Sequence, residues 1–181
     1  KFIVGQDGTR CVFQRGPGNE SYFLRAFPAS RISLRNLTVI EASDSTNQLA
    51  PWQWGACFNA DDSKFVNCRF ERCFLGVGLE GAMQVIIHNC TFVNCTRGIM
   101  ARQCENLKVL YCTFIDCGTW VEYDDLWVFH VISISIKGCD LYRCHSGINL
   151  NALIQSVANC YFNACKRAFY SNGGDWIAID N

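Results

Sequence analysis

The chain has 181 residues, half of them hydrophobic and only three of them proline, so it can form a core and shows no linker or low-complexity tract. Sixteen basic and sixteen acidic residues give a formal net charge of zero, and the basic residues are scattered, which favours neither nucleic acid nor an anionic membrane as a partner. No apolar run approaches the roughly 20 residues that a membrane-spanning helix needs.

Weak copies of one short phrase occupy the N-terminal region. The phrase is C-x-F-x-x-C-x-x-G-I, and CVF at 11–13 matches its beginning. ISLRNLTVIEA, from Ile32, matches a fuller copy in which Leu37 and Val39 take the places of the first Cys and the Phe. We therefore expect the repeat to begin near the N-terminus.

Five clearer copies follow, in which Leu141 replaces one Phe and Trp120 and Ala168 replace two of the Gly. Their first cysteines, at positions 68, 90, 112, 139 and 160, are 22, 22, 27 and 21 residues apart. A fixed period in this range indicates a solenoid.

The residues before each first cysteine indicate which solenoid this is. An apolar residue lies three positions earlier in every copy: Phe65, Ile87, Val109, Ile136 and Val157. Val85, Leu107 and Ile134 lie two positions earlier still, and this alternation is typical of a strand with one buried face. We predict an all-β fold, a right-handed parallel β-helix of about seven coils of 21–31 residues, with three short strands in each coil.

Small and polar residues mark the predicted corners between strands. Asn67, Asn89 and Asn159 directly precede a first cysteine, and Asn tolerates left-handed backbone angles. Gly76 and its equivalents Gly98 and Gly147 are predicted to adopt the same conformation before the third strand.

Two insertions, 43–54 and 122–130, are rich in aromatic residues, and insertions in solenoids emerge as loops on one side. Exposed aromatic residues mark contact surfaces, although packing against the coil edge or stacking on a sugar would use the same side chains. The candidate interface residues, including two tyrosines on the coils, are Trp52, Trp54, Tyr123, Trp127, Phe129, Tyr142 and Tyr161.

The thirteen cysteines are interpreted as reduced, small apolar core residues. Equivalent residues of stacked coils are about 4.8 Å apart and point the same way, which does not suit a disulfide. No His pairs accompany the cysteines, so no metal and no cofactor is expected. The predicted core ladder comprises Cys68, Phe70, Cys73, Cys90, Phe92, Cys95, Cys112, Phe114, Cys117, Cys139, Leu141, Cys144, Cys160, Phe162 and Cys165.

Catalytic residues are not evident. Glycoside hydrolysis needs two carboxyl groups on one face, and the candidates are the adjacent pairs Asp61–Asp62 and Asp124–Asp125. Neighbouring strand residues point to opposite faces, so each pair offers a groove at most one carboxyl group. Polygalacturonases carry further NTD, G-H-G and R-I-K phrases that this sequence lacks, and we expect no enzyme.

The stretch CRFERCFLGVGLEG, at 68–81, resembles the cysteine-rich core of the adenovirus early-region-1B large protein family. That family includes the left-hand-end capsid protein of atadenoviruses, a trimeric β-helix that stabilises the virion. The resemblance implies a homotrimeric minor capsid or cementing protein on the virion exterior that bridges the major capsid protein, hexon. It also implies synthesis in the reducing host cytoplasm or nucleus.

A trimer of this kind should carry an outward apolar row, for which Val93, Ile115, Tyr142 and Tyr161 are the candidates. The alternatives are a non-structural adaptor that binds host regulators for ubiquitination, and a phage-type tailspike or polysaccharide-processing β-helix.

The domain organisation is predicted to be a single β-helix over 1–181. The last residues, DWIAIDN, match the repeat up to the corner before a first cysteine, and the sequence starts without a leader pattern. We expect the protein to continue at both ends, because bare solenoid ends expose apolar surface.

Overall fold

The computed structural model describes residues 2–4, 11–14, 25–26, 31–40, 57–58, 61–73, 75–118, 126–171 and 176–180. These residues form strands and tight corners. The strands are β1 (Phe2–Val4), β2 (Cys11–Gln14), β3 (Arg25–Ala26), β4 (Ser33–Arg35), β5 (Leu37–Ile40), β6 (Cys57–Phe58), β7 (Lys64–Val66), β8 (Arg69–Glu71), β9 (Leu75–Glu80), β10 (Ile86–His88), β11 (Thr91–Val93), β12 (Arg97–Arg102), β13 (Leu107–Leu110), β14 (Thr113–Ile115), β15 (Leu126–Lys137), β16 (Asp140–Tyr142), β17 (Ser146–Ala158), β18 (Tyr161–Asn163), β19 (Arg167–Ser171) and β20 (Trp176–Asp180).

Two parallel sheets form the walls of the helix. The second strands of the coils stack as a seven-stranded sheet in the order β18-β16-β14-β11-β8-β5-β2. The first and third strands belong to one thirteen-stranded sheet, whose main path runs β1-β4-β7-β10-β13-β15-β12-β9-β6-β3. Each strand pairs with its equivalent one coil away, as in Phe70↔Phe92↔Phe114, so the predicted repeat is the structural repeat.

The weak N-terminal copy also lies in the predicted register. Strand β2 pairs with β5 through Cys11↔Leu37 and Phe13↔Val39, which are the first-cysteine and phenylalanine places of the phrase. The seven stacked second strands agree with the predicted number of coils.

The prediction of three strands per coil fails in the later coils. There β15 and β17 each run continuously through what are separate third and first strands in the preceding coils, with a register shift between Phe129 and Val131. In the preceding coils, the two strands are separated by residues with positive φ, Gly81 and Gln84 in one coil and Gln103 and Asn106 in the next. No residue between Leu126 and Lys137 has a positive φ, so the strand bends without breaking.

The corners before the first cysteines are left-handed, as the sequence predicts. Asn67, Asn89 and Asn159 have φ of 54°, 51° and 51°. Their side chains also form a ladder, because the Asn89 amide donates to Asn67 (2.9 Å) and the Asn67 amide donates to Asn36 (3.1 Å). These bonds join successive coils on the outside.

The corresponding prediction for Gly76, Gly98 and Gly147 is wrong. None of them has a positive φ, and the second corner is made instead by the residue before the second cysteine, such as Asn94 (φ 50°). A Cβ on Gly76 would lie 2.6 Å from the carbonyl oxygen of Gly98 and 2.6 Å from the Phe92 ring. Glycine occupies this place because the next coil and the core ring approach too closely for a side chain.

The core is a set of ladders along the helix axis. Phe70, Phe92 and Phe114 are fully buried, and their rings stack with centroids 5.2 and 4.9 Å apart at interplanar angles of 9° and 11°. Twelve of the fifteen predicted ladder residues are buried. Cys160, Phe162 and Cys165 are only half-buried, because their strand β18 has a described neighbour, β16, on one side only.

The eleven cysteines whose side chains the structure describes are all free. Each thiol donates to backbone: the Sγ of Cys95 lies 3.6 Å from the carbonyl oxygens of Val93, in its own coil, and Phe70, in the preceding coil. Burial raises the pKa of Cys90, Cys95 and Cys112. These three thiols therefore stay neutral, and the cysteines act as small core residues whose thiols also form hydrogen bonds.

Candidate functional site

A groove with a cavity volume of about 680 Å³ crosses the outer face of four successive first strands. Strands β4, β7, β10 and β13 form its floor, and the corners before them form one edge. Its lining consists of Arg31, Ile32, Ser33, Arg35, Asp62, Lys64, Gln84, Ile86, Asn106 and Lys108. The groove follows the helix axis, since each coil contributes two to four of these residues.

The floor of the groove is an in-register column. Ser33 pairs with Lys64, Lys64 with Ile86, and Ile86 with Lys108. Their neighbours along the strand, such as Phe65 and Ile87, are fully buried in the core, so strand alternation directs the column outward. The positions of these side chains are fixed by a core that packs beneath them.

The edge of the groove consists of corner residues. Asp62, Gln84 and Asn106 each lie two positions before the floor residue of their coil and have φ of 52°, 56° and 55°. The Ser133 hydroxyl, from the following coil, hydrogen-bonds Asn106 Oδ1 at 2.8 Å. In three successive coils, the left-handed corner therefore directs an amide or carboxylate side chain toward solvent at the equivalent position.

Among the described residues, four cationic side chains and one carboxylate line the groove. Arg31 pairs with Asp62 through a 3.0 Å contact between Nε and Oδ2. Arg35 Nε donates to the Ser33 hydroxyl at 3.3 Å. Lys64 and Lys108 are exposed, and neither has an ion-pair partner within the described part of the chain. The groove is therefore locally basic on a chain of zero net charge.

Of the Asp61–Asp62 pair, one carboxylate lines the groove. Asp61 Oδ1 instead accepts the backbone N–H of Met83 at 3.0 Å, a bond to the next coil. This division agrees with the expectation that an adjacent pair offers a groove one carboxyl. The other pair, Asp124–Asp125, lies outside the described residues.

The predicted interface residues are only partly described. Trp52, Trp54 and Tyr123 lie outside the described residues, and Trp127 and Phe129 are defined only as strand residues of β15. Tyr142 and Tyr161 lie on the second-strand sheet with ring centroids 5.9 Å apart. These two therefore belong to a face other than the groove.

An outward apolar column does run along the second-strand sheet. Val93 pairs with Ile115 and Ile115 with Tyr142, and all three are half-buried. Tyr161 lies in the neighbouring column, since it pairs with Asp140, and its exposed fraction is 52%. Of the four residues in the predicted row, three therefore form one column, and Tyr161 lies beside it.

Sequence reasoning missed the groove, because its cationic residues are far apart along the chain. The available signal was the spacing of 22 residues from Lys64 to Ile86 to Lys108 and from Asp62 to Gln84 to Asn106. With that spacing the coil period places each set in one column.

Neither a metal-binding group nor a membrane-spanning helix is present among the described residues. No three His, Cys, Asp or Glu side chains of the described residues lie together as a metal-binding group. Over the same ranges, no helix has the length and apolarity needed to cross a bilayer.

Comparison with known proteins identifies a family and a similar fold. The model of the family described as "right handed beta helix region" matches residues 28–181. No curated protein matches the sequence. The crystal structure of a proposed glycosyl hydrolase from Parabacteroides merdae ATCC 43184 is similar with a TM-score of 0.50 and 13% identity, over 97% of this chain and 80% of that one.

These findings confirm the predicted right-handed parallel β-helix. Neither of them connects the chain with the adenovirus family that its sequence resembles, and that resemblance stays a prediction. At 13% identity, the structural likeness concerns the fold alone.

Proposed function

Because the chain belongs to the right handed beta helix region family, we propose that it binds a polysaccharide that lies in the groove along the helix axis. The single observation that carries this proposal is the groove itself, which repeats polar groups from coil to coil over β4, β7, β10 and β13. A linear polymer of repeating units would meet similar groups at each step of about 4.8 Å.

The lining has the chemistry of a carbohydrate site. Gln84 and Asn106 offer amide donors and acceptors, and Ile86 offers an apolar surface to the face of a sugar ring. The structural neighbour with the same fold is a proposed glycosyl hydrolase, and enzymes of that class act on carbohydrates. This supports a carbohydrate as the ligand of the groove.

Binding is the proposed activity, and hydrolysis is not required for it. Among the described residues that line the groove, Asp62 is the only carboxylate, whereas glycoside hydrolysis by the common mechanisms uses two. The Asp62 carboxylate is also paired with Arg31 through a contact of 3.0 Å.

The test is a binding screen of the purified chain against a panel of neutral and acidic polysaccharides. We expect binding that weakens in Gln84→Ala and Asn106→Ala, by about 2- to 10-fold each, because each change removes hydrogen bonds worth about 0.5–1.5 kcal/mol. Thr91→Ala, on the second-strand sheet, is the matched control and should bind normally. Absence of binding to every polysaccharide would contradict the proposal.

A second candidate function is assembly, as the sequence resemblance implies. The observation that favours it is the outward column of Val93, Ile115 and Tyr142. The apolar column ends at β8, where Glu71 pairs with Val93 and its carboxylate contacts Arg69 at 3.2 Å. In this role the protein would be a homotrimeric capsid-cementing protein on the virion exterior that contacts hexon.

Light scattering tests the second candidate. A trimer should have three times the mass of one chain and should dissociate in the double variant Val93→Lys, Ile115→Lys, since charged side chains would be buried in the interface. A monomer at all accessible concentrations would overturn it without affecting the groove.

A further inference from the structure

The floor of the groove alternates charged and apolar residues in a way that selects among polysaccharides. We propose that the groove recognises a linear acidic polysaccharide whose negative charges recur on every second sugar, held by Lys64 and Lys108 with Ile86 between them. This inference rests on the proposed function of the groove as a polysaccharide site.

The spacing follows from the strand register. Lys64 and Lys108 both pair with Ile86, from opposite sides, so the two lysines are two coils apart in one column. Two coils correspond to about 10 Å along the axis, twice the separation of neighbouring strands. A ligand with anionic groups at that interval would place one opposite each lysine.

The charge of the groove favours an anionic ligand. The Arg31 guanidinium is paired with Asp62, and Arg35 donates to a neutral hydroxyl. Lys64 and Lys108 are exposed and have no ion-pair partner within the described ranges, so their charges remain available to a ligand. A neutral polysaccharide would gain little from them.

The apolar residue between the two lysines narrows the class of acidic polysaccharide that fits the groove. Ile86 is half-buried and has no polar group, so a polymer with an anion on every sugar would place one of them against a side chain that cannot stabilise it. A neutral sugar at that step would instead pack on Ile86. The lysine ammonium is a compact charge with rotatable donors, so it can bind either a carboxylate or a sulfate.

Single-stranded nucleic acid fits this column less well. Binding sites for single strands that tolerate any sequence use aromatic side chains as stacking platforms. None of the described residues that line the groove is aromatic.

The experiment compares defined oligomers with the full chain at low ionic strength. Hyaluronan oligomers carry a carboxylate on every second sugar, chondroitin sulfate adds sulfates, oligogalacturonate is charged on every sugar, and chito-oligosaccharides are neutral. We expect hyaluronan to bind more tightly than the other three, because the sulfates of chondroitin sulfate lie on the alternate sugars and would put a charge against Ile86 as well.

Variants test the residues. Lys64→Gln and Lys108→Gln should each weaken binding of the preferred oligomer by about 2- to 5-fold, the range for an exposed ion pair. Lys166→Gln, which removes the same charge from the last coil, is the matched control and should have no effect. Ile86→Lys completes a row of three lysines and should shift the preference toward oligogalacturonate.

Three results would overturn the inference: tightest binding to an oligomer other than hyaluronan, binding that neither lysine variant changes, or tighter binding to single-stranded DNA. Under the first two, polysaccharide binding itself would stand, so the proposed function would survive. Failure of every oligomer and polymer to bind would remove both.

Discussion

The middle and the last copies of the repeat have the same sequence pattern and different burial. In the middle copy, Cys90, Phe92 and Cys95 are at most 1% exposed. In the last copy, Cys160, Phe162 and Cys165 are half-buried. The middle strand, β11, pairs with β8 and β14, whereas β18 pairs with β16 alone among the described strands. Equivalent residues thus contribute differently to the free energy of unfolding, because their burial depends on the coils above and below.

The largest expected effect comes from the middle phenylalanine. Phe92→Ala should reduce the free energy of unfolding by about 3–5 kcal/mol, because it leaves a cavity between two stacked rings. Phe162→Ala should cost clearly less, since Phe162 is half-buried already. Urea unfolding followed by circular dichroism measures both.

The control for this pair is Thr91→Ala, one residue away on the outward face of β11, which should change stability little. Equal losses from Phe92→Ala and Phe162→Ala would show that burial in the stack does not decide the cost.

A substitution at Gly76 tests how closely the next coil packs against the Phe92 ring. Gly76→Ala should destabilise by about 1–3 kcal/mol, because the new Cβ would lie 2.6 Å from both Gly98 O and the Phe92 ring. Thermal unfolding measures the loss. Gly81→Asn is the control: its Cβ meets nothing within 4 Å, and Asn tolerates the φ of +66°. A loss at Gly81 as large as that at Gly76 would point to backbone strain instead of packing.

The outer asparagine ladder should matter less. Asn89→Ala should cost about 1–2 kcal/mol, chiefly because Ala is disfavoured at φ 51°. Asn89→Gly restores the backbone freedom but not the 2.9 Å bond to Asn67, so the difference between the two variants in chemical denaturation isolates the backbone contribution. Identical losses would assign the cost to the ladder bond alone.

The smallest expected effect concerns the exposed ion pair between Asp116 and Arg143, joined by two contacts of 2.7 Å. The hydrogen bond from Arg143 lowers the pKa of Asp116 below its usual range. The pair therefore stabilises the fold above the unfolded pKa of the carboxyl group and loses this contribution as the pH falls through the lowered folded pKa.

Arg143→Gln should accordingly lower the melting temperature slightly near neutral pH and not at all at strongly acidic pH. Scanning calorimetry at several pH values measures the difference. A loss that grows on acidification would contradict the assigned role of the pair.

Much of the fold could be predicted from the sequence, because the residues that determine it recur in one phase. The Phe and Cys places define the core, and the Asn before the cysteine defines a corner. The Gly of the phrase was misassigned, since a close approach between coils and a left-handed turn both favour glycine and only the structure distinguishes them. The sequence analysis also did not predict that β15 and β17 run on without a corner. No residue type in the sequence marks the place where a corner is missing.

The groove was beyond the sequence analysis because outward positions carry no repeated residue type. Lys64, Ile86 and Lys108 share a column but not a chemical class, so no phrase marks them. A scattered set of basic residues became a site only once the coil register brought β4, β7, β10 and β13 side by side.

The ladder of stacked rings has a consequence for the kinetics of folding. Phe70, Phe92 and Phe114 contact one another across a constant interval of 22 residues, and each coil contacts its immediate neighbours. Forming the first pair of coils must close one such loop with no folded coil to dock on, but every later coil docks on an existing surface. We expect a slow nucleation step followed by sequential growth, and unfolding that proceeds one coil at a time from an end of the stack.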